Sequence, residues 1–93
     1  MSLQELTEAV RAKVAGGGID DTVKFDCGSD GVIFLDGSTV TNEDKDADCT
    51  IKISSDNLAD LLAGELNPTM AFMTGKIKVE GNMAVAMKLG SIV

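Results

Sequence analysis

The stretch "NPTMAFMTGKIKVEGNMAVAMKL", residues 67–89, contains three short structural elements in a row. Asn67 and Pro68 suit the cap and the first position of a helix, which we expect to stop at Gly75. The segment "KIKVE" then alternates apolar and polar residues, as a strand with one buried face does. A Gly-Asn pair follows and opens a last helix, which we expect to cover residues 83–93. The stretch therefore predicts helix, strand and helix at the end of the domain.

This stretch also holds four of the five methionines of the chain, Met70, Met73, Met83 and Met87. The last helix is apolar over most of its circumference, so it needs cover on two sides, and a sheet supplies only one. Thioether side chains fill irregular space and adapt when that space changes. Two interpretations stay open: the methionines fill gaps in a small core, or they form a deformable wall around a bound apolar molecule.

The elements before this stretch complete an α+β pattern. Residues 3–15 have helical apolar spacing, with Ser2 and Glu5 placed as a capping box. Alternating or apolar runs predict strands, and a Leu-rich run predicts a second helix. The order α-β-β-β-β-α-α-β-α indicates a five-stranded, mainly antiparallel sheet with helices packed on one face. The expected strands cover 22–27, 32–35, 38–41, 49–53 and 76–80, and the expected second helix covers 54–66.

Composition excludes several classes of function for this single domain, residues 1–93. The net charge of −7 arises entirely in residues 1–50, which repel phosphate backbones, and only three Phe rings are present for base stacking. No nucleic-acid partner is therefore expected. The chain has no His, and no nucleophile–base spacing is present, so we expect no catalytic residues and no enzyme. No cofactor is expected either.

The acidic loop begins like a calcium-binding loop, with Asp44, Asp46 and Asp48 at alternate positions. The pattern then fails, because Cys49 stands where the turn needs Gly and Ser55 where the ion needs Glu. We therefore expect no metal site and interpret the segment as a solvated hairpin loop.

The two cysteines, Cys27 and Cys49, could pair on number alone. The first residues, "MSLQELTEAVRAK", are polar and charged rather than a secretory segment. We therefore expect both cysteines to be reduced, buried thiols in a cytoplasmic protein.

The segment "LLAGELNPTMAFMTGKIKVEGNMAVAMKL" resembles the signature of the sterol carrier protein 2 family. The family has a Gly-x-Leu-(Asn/Asp)-Pro turn, then Ala-Phe-Met-x-Gly-Lys-(Leu/Ile)-Lys, then Gly-(Asn/Asp)-Met at the start of the last helix. The likeness is strong over residues 47–89 and collinear over 1–46. The ending "SIV" differs from the peroxisomal "SKL" of some relatives, which fits a bacterial-type, free-standing cytoplasmic domain. The matching residues are Gly64, Leu66, Asn67, Pro68, Ala71, Phe72, Met73, Gly75, Lys76, Ile77, Lys78, Gly81, Asn82 and Met83.

The resemblance implies non-enzymatic binding and transfer of lipids in an apolar cavity between sheet and helices. Fatty acids, acyl-CoA thioesters, phospholipids and sterols are the implied ligands. Lys88 is the candidate partner for a head group, with Lys76 and Lys78 as further candidates. Transient membrane contact is compatible with this function, and both a monomer and a dimer stay open. The candidate cavity residues are Phe34, Leu58, Leu62, Leu66, Met70, Phe72, Met73, Met83, Met87 and Leu89.

Two other functions remain alternatives. In one, the apolar C-terminal face docks on an enzyme or on a second copy, presenting a lipid or a quinone intermediate. In the other, a carboxylate or Lys88 carries a reaction.

A cavity also carries a cost in so small a protein. A rigid closed void of ~300 Å³ would cost ~7 kcal/mol, comparable to the whole stability of a small domain. We therefore expect the ligand-free protein to collapse partly, to loosen its last helix or to retain lipid.

Overall fold

A computed structural model describes residues 2–18 and 20–89 of the chain. Helix α1 (Leu3–Val14) begins with the predicted capping box. The Glu5 amide donates to the Ser2 hydroxyl at 3.2 Å, and the Ser2 amide donates to the Glu5 carboxylate at 3.1 Å. These hydrogen bonds with Ser2 lower the pKa of Glu5. The capped helix lays an apolar stripe, including Leu6 and Val10, on the sheet.

The sheet has five strands in the spatial order β3-β2-β1-β4-β5. Three of the four pairings are antiparallel, and the central pairing of β1 with β4 is parallel. The prediction of a mainly antiparallel, five-stranded sheet is confirmed, with one parallel pair that makes it mixed. The strands are β1 (Thr22–Asp26), β2 (Val32–Asp36), β3 (Thr39–Thr41), β4 (Cys49–Ile53) and β5 (Ile77–Gly81).

All four helices cover the same face of the sheet. Their buried residues join one core cluster with the inward residues of the strands, such as Val23 and Leu35, which lie opposite each other in the β1–β2 register. The predicted order of elements is confirmed. The remaining helices are α2 (Ser55–Leu62), α3 (Pro68–Met73) and α4 (Met83–Leu89), and residues 90–93 of the predicted last helix lie outside the described residues.

Helix α2 is shorter than the predicted span of 54–66. It ends at Leu62, because the amides of Glu65 and Leu66 both donate back to the carbonyl of Asp60, at 2.8 and 3.2 Å. The chain then turns toward the Asn67 cap of α3.

The acidic segment between β3 and β4 is a crossover, and the prediction of a hairpin loop is wrong. Strands β3 and β4 are not neighbours, because β4 pairs parallel to β1 on its far side and the chain must pass both β2 and β1 to reach it. Residues on this crossover cover the face of the sheet away from the helices. Asp44 pairs with Lys24 at 3.0 Å, and the Lys45 ammonium lies 5.6 Å from the centre of the Phe34 ring.

The two cysteines are buried and unpaired, as predicted. Cys27 directly follows β1, and Cys49 begins β4 on the inner face. Burial raises the pKa of both thiols. Both sulfurs are therefore held protonated inside the domain at neutral pH.

Candidate functional site

An apolar groove of about 350 Å³ lies between the sheet and the two C-terminal helices. Its floor is a row of inward side chains from three adjacent strands. Phe25 on β1 lies beside Ile51 on β4, and Ile51 lies beside Val79 on β5. Ile77 and the α2 residue Leu61 extend this floor.

Two short helices form the walls. Helix α3 contributes Pro68, Thr69 and Phe72, a spacing that places them on one side of a helix. Helix α4 contributes Met83, Ala86 and Met87, which share one side in the same way.

Among the described side chains, each wall helix has one small buried residue that anchors it. Ala71 is the buried residue of α3, and Val85 is the buried residue among those described in α4. Helices of six and seven residues with one anchor each cover little of the sheet. The side chains beside each anchor are then left facing a gap rather than a packed neighbour.

The rim of the groove is unusually apolar for a protein surface. The five large hydrophobic residues exposed in the described chain all lie on α3 and α4. Grouped apolar exposure of this kind marks a binding site more often than isolated surface residues do. Their exposed fractions are 55% for Met70, 48% for Phe72, 73% for Met73, 48% for Met83 and 78% for Met87.

Because the groove is open at its rim, it does not carry the free-energy cost expected for a closed, empty cavity. A closed void of about 350 Å³ would cost about 8 kcal/mol. This groove is open to solvent along Met83 and Met87, so water reaches it and the full cost does not arise. The expectation that the ligand-free protein collapses partly, loosens its last helix or retains lipid was derived for a closed void, and this groove is open.

The groove carries little polarity of its own. Among the described side chains that line it, only Thr69 has a polar group, and none is charged. The described residues contain no group of His, Cys, Asp or Glu able to hold a metal ion. No helix in the described ranges is both long and apolar enough to cross a membrane.

Lys88, the candidate head-group residue, does not line the groove. Its ammonium donates to the Asp21 carboxylate at 2.8 Å, a contact that raises the pKa of Lys88. Lys78 lies opposite Lys52 in the β4–β5 register, on the face of the sheet away from the helices. Lys76 is exposed just before β5 and is not a lining residue.

The predicted cavity residues fall into three groups. Phe72, Met83 and Met87 line the groove together. Leu58, Leu62 and Leu66 pack in or against the core without lining the groove, and Met70 and Met73 are exposed outside its lining. Phe34 lies on the opposite face of the sheet, in register with Lys24, so it is removed from the candidates. The side chain of Leu89 lies outside the described residues.

Sequence reasoning missed the floor of the groove. Alternation already placed Phe25, Ile51, Ile77 and Val79 on the inner face, but it assigned them to the core. A signal was present, since inner-face residues opposite two short helices are the ones left without cover. The other lining residues not predicted are Leu61, Pro68, Thr69 and Ala86.

Comparison with known proteins finds the same fold in solved structures and assigns the sequence to a family. The crystal structure of sterol carrier protein 2 like 2 from Aedes aegypti superposes with a TM-score of 0.82 at 20% identity, covering 100% of this chain and 97% of that one. The solution structure of the palmitated mosquito protein gives a TM-score of 0.80 at 18% identity, covering 99% and 94%. The two superpositions establish that the fold is alike, and at these low identities they establish the fold alone.

The sequence relatives are closer over a shorter span. Sterol carrier protein 2 of Oryctolagus cuniculus is 50% identical over 56 residues, which is 60% of this chain and 10% of that protein. The chain thus spans about a tenth of the length of this curated relative. The model of the SCP-2 sterol transfer family matches residues 2–93, and the chain therefore belongs to that family.

Proposed function

We propose that this protein binds lipids by one fatty acyl chain laid in the groove, and that it transfers them without chemical change. The observation that supports this most directly is the continuous apolar lining shared by β1, β4, β5, α3 and α4. A volume of about 350 Å³ lies in the usual range for small-ligand sites. Membership of a lipid-transfer family supports the same function.

The chemistry of the lining favours acyl chains over polar ligands. Each buried methylene contributes about 0.8 kcal/mol, so ten contribute about 8 kcal/mol before ordering costs. This corresponds to roughly micromolar affinity. One polar lining group, the Thr69 hydroxyl, gives little basis for recognising a ligand's polar part inside the groove. The head group of a fatty acid, an acyl-CoA thioester or a phospholipid then stays at the open rim.

A binding role without catalysis forms part of this proposal. A reaction needs a nucleophile or a proton donor beside the ligand, and the described lining offers only the Thr69 hydroxyl. A cytoplasmic location belongs to the same proposal, since both buried thiols are unpaired. The exposed rim of Met and Phe residues is suited to brief contact with a membrane during loading and release.

The test fills the groove from inside. Ala86 lines the groove on α4, and its near neighbour Ala84 is exposed and is not a lining residue. Ala86→Phe should weaken binding of a fluorescent fatty acid by about tenfold or more, since it displaces about two or more methylenes' worth of contact. Ala84→Phe, the matched control, should change affinity by less than about twofold.

A second groove-filling variant keeps the test valid if Ala86→Phe fails to fold. Thr69→Phe enters from the opposite wall at an exposed position, and it should weaken binding in the same way. Normal fatty-acid binding by both filled variants, with unchanged circular dichroism, would contradict the proposal. Native mass spectrometry of freshly purified protein distinguishes lipid binding from the docking alternative. A lipid-free dimer would favour docking through the C-terminal face.

A further inference from the structure

Among the described residues, the sulfur atoms are divided between the interior of the domain and the two helices that wall the groove. Both cysteine sulfurs are buried, and burial raises the pKa of both thiols. The four methionines of α3 and α4 are instead between 48% and 78% exposed. Two of them, Met83 and Met87, line the groove.

We propose that Met83 and Met87 are oxidation sites through which a hydroperoxide switches off acyl-chain binding in the groove. The inference rests on the proposed function, because it assigns a chemical switch to the same site. The oxidant class is a hydroperoxide, either hydrogen peroxide from solution or a fatty acyl hydroperoxide held in the groove.

The chemical step is a two-electron oxygen transfer. The thioether sulfur attacks the distal oxygen of the hydroperoxide, the O–O bond breaks and a sulfur–oxygen bond forms. Sulfur is oxidised to the sulfoxide, and the hydroperoxide is reduced to water or to the lipid alcohol. The proton of the distal oxygen passes through solvent to the leaving oxygen. The sulfoxide is reducible by methionine sulfoxide reductases, so the switch is reversible.

Exposure directs the oxidant to methionine rather than cysteine. A thioether needs no deprotonation, whereas a thiol reacts as its thiolate. The buried, protonated thiols of Cys27 and Cys49 are therefore poor targets, and the methionines on the rim are accessible ones.

Oxidation changes the groove from a uniformly apolar surface to one with an unsatisfied polar group. A sulfoxide oxygen needs a hydrogen-bond donor, and the described lining side chains offer only the Thr69 hydroxyl. An acyl chain laid over the sulfoxide would strip it of water, which weakens binding by about tenfold or more. Met83 should matter more than Met87, because it is about half buried while Met87 can turn its oxygen to solvent.

The chain supplies its own matched control. Met70 and Met73 are exposed to a similar extent on α3, but neither lines the groove. The full chain and the double variants Met83→Leu/Met87→Leu and Met70→Leu/Met73→Leu are treated with hydrogen peroxide. For each protein the affinity for a fluorescent fatty acid is compared before and after treatment, with methionine sulfoxide located by peptide mass spectrometry.

The expected result is a loss of affinity of about tenfold or more in the oxidised full chain and in Met70→Leu/Met73→Leu. Met83→Leu/Met87→Leu should keep its own starting affinity after treatment. The inference is overturned if the fully oxidised chain binds as before, or if Met83→Leu/Met87→Leu loses affinity equally. If the double variant fails to fold, the single variant Met83→Leu tests the same point, since oxidation should reduce its affinity, relative to its own untreated value, by less than it reduces that of the full chain.

Two further measurements distinguish whether the hydroperoxide reacts from the groove or from solution, and whether the proposed function or only the oxidation switch is wrong. Linoleic acid hydroperoxide should oxidise Met83 and Met87 ahead of Met70 and Met73 if it reacts from within the groove, and all four alike if it reacts from solution. Binding by the untreated chain tests the proposed function alone. An untreated chain that binds no fatty acid rejects that function, whereas normal binding before and after oxidation rejects only the switch.

Discussion

Helices α1 and α4 cover the same face of one sheet, yet α1 closes the core and α4 borders a groove. The apolar stripe of α1, which includes Leu6, Val10 and Val14, is buried almost completely. On α4, Val85 is buried while Met83 and Met87 remain exposed beside a groove. The comparison teaches that an apolar helical stripe can either complete a core or border a space left for a ligand.

The residue types agree with this difference. Branched side chains with few rotamers fill the closed region around α1, where each position has one packed arrangement. Unbranched thioether chains border the groove, where the space changes when a ligand enters. The closed region should therefore carry stability, and the open region should carry binding.

The largest expected effect comes from the closed region. Leu58 on α2 is fully buried, so Leu58→Ala should lower the free energy of unfolding by about 2–5 kcal/mol through lost contacts and a new cavity. Met73→Ala, at a largely exposed position of α3, should lower it by less than about 0.5 kcal/mol. Urea denaturation measures both. Equal losses in the two variants would remove the distinction between closed and open regions.

A smaller effect is expected at the joint between β5 and α4. Gly81 has a φ of +96°, and a Cβ there would lie 2.5 Å from the carbonyl oxygen of Asp48. Gly81→Ala should therefore cost more than the about 1–2 kcal/mol of backbone strain alone, and it should displace α4. Denaturation gives the cost, and fatty-acid affinity reports the displacement.

Gly75 provides the control for this joint. It has a similar positive φ of +79°, but a Cβ there would meet nothing within 4 Å. Gly75→Ala should show the strain without the clash and should leave fatty-acid binding close to normal. A loss at Gly75 as large as that at Gly81 would show that the clash of an added Cβ with the Asp48 carbonyl has no effect beyond backbone strain.

The smallest expected effect is electrostatic and concerns the end of α4. Lys88 donates to Asp21, and this hydrogen bond raises the pKa of Lys88 above its ordinary value of 10.5. A raised pKa in the folded state contributes stability that is complete below the unfolded pKa and is lost as pH rises through the folded value. Asp21→Asn should therefore be slightly less stable than the unmodified chain near neutral pH, and the difference should shrink above about pH 10.

Glu80→Gln is the matched control for that measurement. It removes the partner of Lys52, whose pKa is also raised, on the face of the sheet away from the groove. In both variants the loss of stability should shrink toward alkaline pH. Only Asp21→Asn should alter fatty-acid binding, because its partner Lys88 lies on α4, which forms a wall of the groove. A difference in stability that grows toward alkaline pH would reverse the sign derived for Lys88.

Local patterns predicted the elements well, because those patterns arise within single elements. Alternation along "CTIKI" identified β4 to the residue, and the Ser2–Glu5 pair identified the start of α1. The same alternation placed Ile77 and Val79 on the inner face. A pairing partner is not encoded in alternation, so the parallel contact of β4 with β1 and the crossover before it were not foreseen.

Sequence reasoning named part of the lining of the candidate site. The concentration of methionine in residues 67–89 drew attention to α3 and α4, where Phe72, Met83 and Met87 line the groove. Phe34 was among the candidates implied by the resemblance, but its place in β2 turns it to the opposite face. Hydrophobicity alone does not distinguish a floor, a wall and a core.

The amino-acid order thus specified which segments are helices and strands, which side of each is apolar, and where adaptable side chains accumulate. These properties follow from periods of 3.6 and 2 residues and from caps within a few positions. The arrangement in space decided that α3 and α4 stand apart over β1, β4 and β5 and leave a groove. A gap between elements depends on helix length, anchoring and strand order together, so it exists only once the chain has folded.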